Sequence, residues 1–175
     1  MNLKKYIRSI KDYPKKGILF RDITTLIKNE KAFSSSIKEI VKRSKKYKID
    51  KIAAIESRGF IFGSAVSYIL KKPFIMLRKK NKLPADVHSI DFKLEYGTAT
   101  IEVHKDSINE KDEVLIIDDL IATGGTAEAA AKLVEISKSK VAAFVFVINL
   151  FDLGGSDNLI KKNYKVENLI EFPGH

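Results

Sequence analysis

The sequence predicts a single α/β domain with a mostly parallel central sheet flanked by helices. Short apolar segments recur along the chain, amphipathic helical patterns lie between them, and one apolar segment leads into a glycine-containing turn. Alternation of strand and helix is typical of parallel sheets with right-handed crossovers. The length of 175 residues suits one domain with a substantial core.

Four apolar segments are predicted to be buried strands, because each is short, apolar and bounded by polar residues: 52–55, 73–77, 114–117 and 141–148. Three helices are predicted between or before them, at 33–47, 59–70 and 126–136. The first and last place their apolar residues on one face. The segment 59–70 is apolar nearly all round, as expected for a helix packed between the sheet and a partner.

The segment 78–110 interrupts this alternation. It starts with the charged run RKKNKLPADVHS and continues with alternating polar and apolar residues around Tyr96-Gly97-Thr98. This pattern predicts a long mobile loop followed by a β-hairpin, inserted where a simple doubly wound fold has a helix. The first thirty residues are predicted to form a small N-terminal hood over the sheet edge, within the same 1–175 domain.

Composition excludes several classes of protein. The chain has no cysteine, so disulfides and thiolate metal sites are excluded, and its histidines match no metal-binding spacing. The longest apolar runs are far shorter than the roughly 20 residues of a membrane span. The N-terminus has no apolar signal region, which predicts a cytoplasmic protein without a membrane partner.

The net charge of +10 raises the question of a nucleic-acid partner. The lysines, however, occur as short pairs along the whole chain and not as one basic tract. This distribution favours a solvated, lysine-rich surface over a nucleic-acid interface.

The segment Val114–Thr126 (VLIIDDLIATGGT) carries the strongest functional signal. An apolar strand leads into two adjacent carboxylates, and a threonine- and glycine-containing turn then begins a helix. Glycines permit close backbone approach, and the N–H groups at a helix start favour a phosphate. The carboxylates upstream are placed to accept hydrogen bonds from ribose hydroxyls. Together these features predict a ribose 5-phosphate site at the carboxyl edge of the sheet.

This motif, LIIDDLIATGGTA, resembles the phosphoribosyl diphosphate motif of the type I phosphoribosyltransferases. Further segments resemble the adenine branch of that family, in the same order along the chain: YPKKGILFRDIT, ESRGFIFG, RKKNKLP, LEYGTATIEVHKDSI and INLFDLGG. The resemblance runs from about residue 2 to the terminal FPGH. It implies the type I phosphoribosyltransferase fold, with the inserted loop, the hairpin and the N-terminal hood.

The resemblance also implies a reaction: transfer of a 5-phosphoribosyl group from phosphoribosyl diphosphate to N9 of adenine. Mg²⁺ would be bound with the diphosphate and would have no direct protein ligand. The phosphoribosyl contacts implied are Asp118, Asp119, Ala122, Thr123, Gly124, Gly125 and Thr126. The pyrophosphate contacts implied are Ser57, Arg58, Arg78 and Lys82, with a cis peptide bond near Glu56–Ser57. Asn81 departs from the glycine expected in the closing loop.

At the base end, the resemblance implies that Glu95 handles the proton of the purine ring. Phe20 and Leu150 would sandwich the purine, and the backbone at Arg21 would read its amino edge. A 6-oxo purine needs a donor, often a lysine on the strand after the phosphate helix, but residues 141–148 contain no Lys, Arg or Gln. An apolar slot read by backbone groups therefore favours a 6-amino purine.

Two alternatives remain at this stage. One is a phosphoribosyltransferase for another purine, such as xanthine. The other is a non-catalytic regulator that senses phosphoribosyl diphosphate and binds DNA, although such regulators carry an added domain for which no room is expected before Tyr13. The apolar helix predicted at 59–70, together with the resemblance, implies a homodimer.

Overall fold

The computed structural model describes residues 1–94 and 97–174, and the side chain of Leu94 lies outside that description. Its strands are β1 (Arg8–Lys11), β2 (Leu19–Asp22), β3 (Lys51–Ile55), β4 (Phe74–Lys79), β5 (Val87–Leu94), β6 (Gly97–His104), β7 (Glu113–Ile121), β8 (Lys140–Leu150) and β9 (Val166–Phe172). Within the described residues, seven of these strands form one sheet in the order β5-β6-β4-β3-β7-β8-β9.

The centre of this sheet is parallel, as the sequence predicts. Strand β3 pairs in parallel with β4 and β7, and the parallel pairing continues through β8 to β9. Strand β7 is longer than the predicted 114–117, because its pairing with β8 continues past Asp118 to Ile121. The carboxylates therefore lie on the strand and not beyond its end. Strand β9 was not predicted.

The helices are α1 (Thr24–Lys28), α2 (Glu30–Ser44), α3 (Gly59–Leu70), α4 (Gly125–Ile136) and α5 (Gly155–Lys161). The structure confirms α3 at its predicted bounds and α4 to within one residue. The predicted bounds 33–47 were wrong for α2, which starts earlier because the Asn29 side chain accepts a hydrogen bond from the N–H of Ala32 at 2.9 Å.

Helices cover both faces of the sheet. Successive strand residues point to opposite faces, so Ile52 and Ala54 of β3 belong to one apolar cluster, and Ala53 and Ile55 belong to the other. The first cluster includes buried residues of α2 and α3, and the second includes those of α4. Burial on both faces explains why the central strands read as continuous apolar runs.

The inserted segment is mainly strand. Strands β5 and β6 pair antiparallel, which confirms the predicted hairpin, and β6 also pairs antiparallel with β4. The predicted loop was too long: Arg78 and Lys79 end β4, where they pair with Glu102 and Ile101 of β6. The connection between β4 and β5 is therefore confined to 80–86.

The N-terminal segment contributes a small two-stranded sheet beside the main one, and its buried Leu3 and Ile7 belong to the same apolar cluster as α2 and α3. A 3-10 helix (Leu3–Tyr6) precedes β1, and β1 pairs antiparallel with β2 outside the main sheet. The hood boundary near residue 30 stays a prediction. In residues 1–94 and 97–174, no helix is long and apolar enough to cross a membrane.

Candidate active site

A cleft of about 680 Å³ opens at the carboxyl ends of β7 and β8. Open α/β sheets bind their ligands at this edge. Most of the residues predicted for the site line this cleft: Phe20, Arg21, Arg58, Asp118, 122–126 and Leu150. Among the described residues predicted for the site, four do not line it: Ser57, Arg78, Lys82 and Asp119.

The turn at 122–126 connects β7 to α4 and presents the amino end of that helix to the cleft. Gly124 caps the helix with a φ of +92°, a conformation that side chains rarely adopt. The N–H groups and the dipole of the helix start favour a phosphate dianion at this point. The turn therefore has the backbone shape and the charge of a phosphate site.

Gly155, at the start of α5, packs against the backbone of this turn. Its N–H donates a hydrogen bond to the carbonyl oxygen of Ala122 at 3.0 Å. A Cβ at position 155 would lie 2.3 Å from that oxygen and 2.7 Å from the backbone nitrogen of Gly124. The close approach requires glycine. Sequence reasoning missed this role, although the paired glycines that end INLFDLGG were a signal for it.

Asp118 and Asp119 lie on β7 just before the turn. The N–H of Asp119 donates to Oδ1 of Asp118 at 2.8 Å, and Nε of Arg58 lies 2.7 Å from Oδ2 of Asp119. Burial raises the pKa of both carboxyls, the charge of Asp119 further raises that of Asp118, and Arg58 opposes the rise at Asp119. Asp118 faces the cleft, whereas Asp119 is 5% exposed and lies behind Arg58.

The turn between β3 and α3 places Arg58 at the cleft. The Glu56–Ser57 peptide bond is cis, which confirms what the resemblance implies. Gly59 packs so closely on β7 that a Cβ there would lie 2.8 Å from Oδ1 of Asp118. The guanidinium carbon of Arg58 lies 5.6 Å from the ring centre of Phe20. Arg58 therefore stands between the carboxylates and a predicted base contact, with donors that suit a diphosphate.

Arg78 contacts Glu56 instead of lining the cleft. Its Nε and Nη2 donate to the two oxygens of Glu56 at 3.1 and 3.3 Å, and its Nη1 donates to the carbonyl oxygen of Lys82 at 3.1 Å. Burial raises the pKa of the Glu56 carboxyl, but the hydrogen bonds from Arg78 and the Lys79 N–H bring it below its ordinary value. Glu56 was not predicted as a partner of Arg78. The pyrophosphate contacts of Ser57, Arg78 and Lys82 stay predictions.

Asn81 stands where the family pattern has glycine, and its φ is +63°. Asparagine adopts this left-handed region more readily than most other residues with a side chain. The Asn81 N–H donates at 3.0 Å to the buried Glu102, whose other oxygen accepts from the Ser89 hydroxyl at 3.1 Å. The loop thus keeps a glycine-like backbone despite the substitution.

The base end of the cleft is apolar. Phe20 and Leu150 line it together with Phe146 and Leu153, and the Tyr13 ring packs edge-on against Phe20 at 5.2 Å. Leu153 was not predicted. Glu95 and its neighbour Tyr96 lie outside the described residues, so the role of Glu95 stays a prediction.

Comparison with known proteins agrees with this geometry. The family model described as the phosphoribosyl transferase domain matches residues 23–173. The adenine phosphoribosyltransferase of Pelagibacter ubique is 81% identical over 175 residues, which is 100% of either chain. The chain belongs to the adenine phosphoribosyltransferase family. It is therefore a transferase with the type I phosphoribosyltransferase fold.

Solved structures of the adenine phosphoribosyltransferase family share this fold. The crystal structure of the enzyme from Thermoanaerobacter pseudethanolicus is 46% identical, with a TM-score of 0.93 over 97% of this chain and 98% of that chain. The Giardia lamblia enzyme complexed with 9-deazaadenine is 35% identical, with a TM-score of 0.92 over 98% of this chain and 96% of that chain.

The general domain match starts at residue 23, after Phe20 and Arg21. The similarity to the adenine phosphoribosyltransferase of Pelagibacter ubique, by contrast, covers the whole chain. Two predicted base contacts therefore lie outside the match to the general phosphoribosyl transferase domain. They lie on β2, in the N-terminal segment that packs beside the cleft.

Proposed function

We propose that this chain transfers the 5-phosphoribosyl group of phosphoribosyl diphosphate to N9 of adenine, giving AMP and pyrophosphate in purine salvage. One observation carries the proposal: a single cleft brings together the anion-binding turn 122–126, the Asp118 carboxylate and an apolar end with Phe20 and Leu150. The relatives named adenine phosphoribosyltransferase support it, as does the Giardia lamblia structure with 9-deazaadenine.

The phosphoribosyl group has a complementary place in this cleft. The turn 122–126 binds the 5′-phosphate through backbone N–H groups and the threonine hydroxyls, because its residues line the cleft at a helix start. Asp118, which lines the cleft, accepts hydrogen bonds from the ribose hydroxyls, and Asp119 does so once Arg58 turns from it to the diphosphate. Holding the sugar at both ends fixes its anomeric carbon relative to the base, which lowers the entropic cost of reaching the transition state.

The diphosphate leaves with negative charge that the protein must stabilise. Arg58 is the residue already at the cleft, and we assign it to the diphosphate with Ser57. Arg78 and Lys82 join when the loop closes over the donor and excludes water. In that step Arg78 exchanges its hydrogen bonds with Glu56 for the diphosphate.

Magnesium is part of the donor in this proposal. Residues 1–94 and 97–174 contain no cluster of three or more His, Cys, Asp or Glu side chains placed to hold a metal ion. Mg²⁺ commonly keeps several waters and binds through substrate phosphates, so it would enter the cleft with the diphosphate and would need no direct protein ligand. When bound, the ion neutralises charge on the departing diphosphate.

Adenine binds between Phe20 and Leu150, with the backbone at Arg21 reading its amino edge. The part of β8 at 141–148 offers no Lys, Arg or Gln to a 6-oxo group, so hypoxanthine and guanine lack a donor there. Glu95 handles the proton of the purine ring in this proposal.

The phosphoribosyl diphosphate donor carries several phosphate charges and does not cross a lipid bilayer unaided, which supports a cytoplasmic enzyme.

We also propose a homodimer formed through α3. The outer face of this helix is apolar, with Tyr68 86% exposed and Ile69 50% exposed. Met76 of β4 is 43% exposed on the side of the sheet that α3 covers, because Phe74, which points the same way on β4, packs edge-on against Phe60 of α3 at 6.0 Å. Large exposed apolar side chains that recur on one helix and on its neighbouring strand are typical of a subunit interface.

The dimer is tested by analytical ultracentrifugation of Tyr68→Glu. We expect the wild type to sediment as two chains and Tyr68→Glu as one, because a buried charge opposes association. Ile160→Glu is the matched control, since Ile160 is 52% exposed on α5, away from α3. A wild type that sediments as a single chain would contradict the dimer.

The catalytic proposal is tested with the purified protein, the donor and Mg²⁺. Labelled adenine, hypoxanthine, guanine and xanthine are supplied separately, and the nucleotide products are resolved by chromatography. We expect AMP from adenine and little product from the 6-oxo purines. Reactions without donor, or with ribose 5-phosphate in its place, serve as controls. No AMP formation by folded protein would refute the function, and equal use of xanthine would refute the choice of base.

A further inference from the structure

The C-terminal segment 172–174 lies at the base end of the cleft. Phe172 ends β9, where it pairs in register with Leu150 of β8, and Gly174 lines the cleft itself. The buried Phe172 ring lies close to two cations, with Nζ of Lys4 4.7 Å and the guanidinium carbon of Arg21 4.4 Å from its centre. Both distances are within the range of cation–π attraction.

Two hydrogen bonds fix the residues after this ring. Nη2 of Arg21 donates to the carbonyl oxygen of Pro173 at 2.9 Å, and the N–H of Gly174 donates to Oδ1 of Asp152 at 2.5 Å. The first bond connects the segment to β2, directly after Phe20. The second connects it to the 3-10 helix that follows Leu150. The two bonds therefore attach the segment to β2, which carries Phe20 and Arg21, and to the 3-10 helix that directly follows Leu150.

The side chain of Arg21 serves this attachment and not the donor phosphates. It is 7% exposed, and its Nη1 donates to the hydroxyl of Ser9 on β1 at 2.5 Å. Burial lowers the pKa of the guanidinium, and the nearby charge of Asp152 opposes that decrease. Arg21 and Asp152 thus hold the segment 172–174 from two sides.

Gly174 packs directly on the base end of the cleft. A Cβ at this position would lie 2.7 Å from Cγ and 3.0 Å from Cδ1 of Leu153, and 2.9 Å from Oδ1 of Asp152. Leu153 also lines the cleft. An added methyl group must therefore displace Leu153 within the cleft or separate the Gly174 N–H from Asp152.

We propose that residues 172–174 form a wall of the base subsite and determine how tightly the purine is bound. Gly174 lets the segment pack closely against Leu153, and Arg21 and Asp152 are positioning residues that hold the segment there. This inference rests on the proposed function, because it assigns the apolar end of the cleft to adenine. The turn 122–126 holds the donor and is not part of this wall, so a change in the wall should leave donor binding intact.

The test measures steady-state kinetics of Gly174→Ala with adenine and donor varied separately. We expect the KM for adenine to rise about tenfold, while kcat and the KM for the donor change less than about twofold. Asp152→Ala should show the same pattern, because the Gly174 N–H loses its acceptor. Asp152→Asn retains an acceptor oxygen and should restore most of the affinity. Asp106→Ala, which removes an exposed aspartate between β6 and β7, is the control.

Equilibrium binding of AMP, measured by calorimetry, gives a second readout that does not require turnover. If folded Gly174→Ala has an unchanged KM for adenine while the wild type is active, the proposed wall of the base subsite is refuted and the proposed function is not. An equal rise in the KM for the donor also refutes the wall, because the substitution then affects the whole cleft and not the base subsite alone. A wild type that forms no AMP and binds no purine overturns both proposals.

Discussion

The substitution Gly155→Ala tests whether α5 sets the shape of the phosphate turn. Gly155 contacts the turn through a hydrogen bond of 3.0 Å to the Ala122 carbonyl oxygen. The added methyl carbon would lie 2.3 Å from that oxygen, whereas ordinary contacts begin at 3.4 Å. Relief of the overlap therefore requires a backbone movement of about 1 Å, a misplacement that commonly lowers activity about 100-fold.

The atoms in the way belong to backbone, so the overlap cannot be relieved by a side-chain rotation. Besides the carbonyl oxygen, the methyl group would lie 2.7 Å from the nitrogen of Gly124 and 2.8 Å from the carbonyl carbon of Thr123. We expect kcat/KM for the donor to fall about 100-fold, with a loss of about 1–3 kcal/mol in the free energy of unfolding from overpacking.

The assay is donor-dependent AMP formation at saturating adenine, with urea unfolding of the same samples to verify that the variant is folded. Gly154→Asn is the matched control, because Gly154 has a φ of +74°, which asparagine tolerates, and no atom of the described chain would lie within 4 Å of a Cβ at that position. A folded Gly155→Ala protein with a donor kcat/KM within about twofold of wild type would refute the reasoning.

Three other predictions address the donor carboxylates, the loop and the N-terminal segment. Asp119→Ala should lower kcat/KM for the donor by about 10- to 100-fold, since it removes a charged hydrogen-bond acceptor; wild-type donor kinetics would remove Asp119 from the site. Asn81→Gly should lower the free energy of unfolding by at most about 1 kcal/mol, whereas Asn81→Val should lower it by about 1–3 kcal/mol because valine is strained at a φ of +63°. Urea unfolding measures both losses, and equal losses would contradict the strain. Burial raises the Asp22 pKa, but hydrogen bonds from Thr24 and Arg8 bring it down to about 2, below an unfolded value of about 3.9. The stability that the ionised Asp22 contributes is present above about pH 4 and is lost as pH falls toward 2. The free energy of unfolding of Asp22→Asn should therefore depend less on pH in that window. An unchanged pH dependence would contradict this role of Asp22.

Features that depend on local sequence were predicted most accurately. The bounds of α3 and the turn 122–126 follow from neighbouring residues, because an apolar pattern and a pair of glycines act over a few positions. Prediction was less accurate where strand pairing decides the outcome. Asp118 lies within β7, and Arg78 lies within β4, because pairing with the neighbouring strands continues through both residues.

The residues that were not predicted make contacts across long separations in the chain. Glu56 binds Arg78, and Gly155 supports Ala122, yet neither pair shares a local pattern. Gly174 reads as a terminal glycine in FPGH, and only the packing of Leu153 against it reveals a close approach. A glycine needed for left-handed backbone and one needed for a close contact look the same in a sequence.

The sequence by itself determined the α/β class and the parallel sheet, and it predicted a ribose 5-phosphate site at the end of β7. These features depend on periodicity and on the turn Thr123–Thr126, both of which are contained in short stretches of neighbouring residues. The tertiary structure decided that Arg58 stands between Asp119 and Phe20, and that the C-terminal segment contacts Arg21. Such contacts depend on how separate elements pack, because side chains distant along the chain meet only after those elements have assembled.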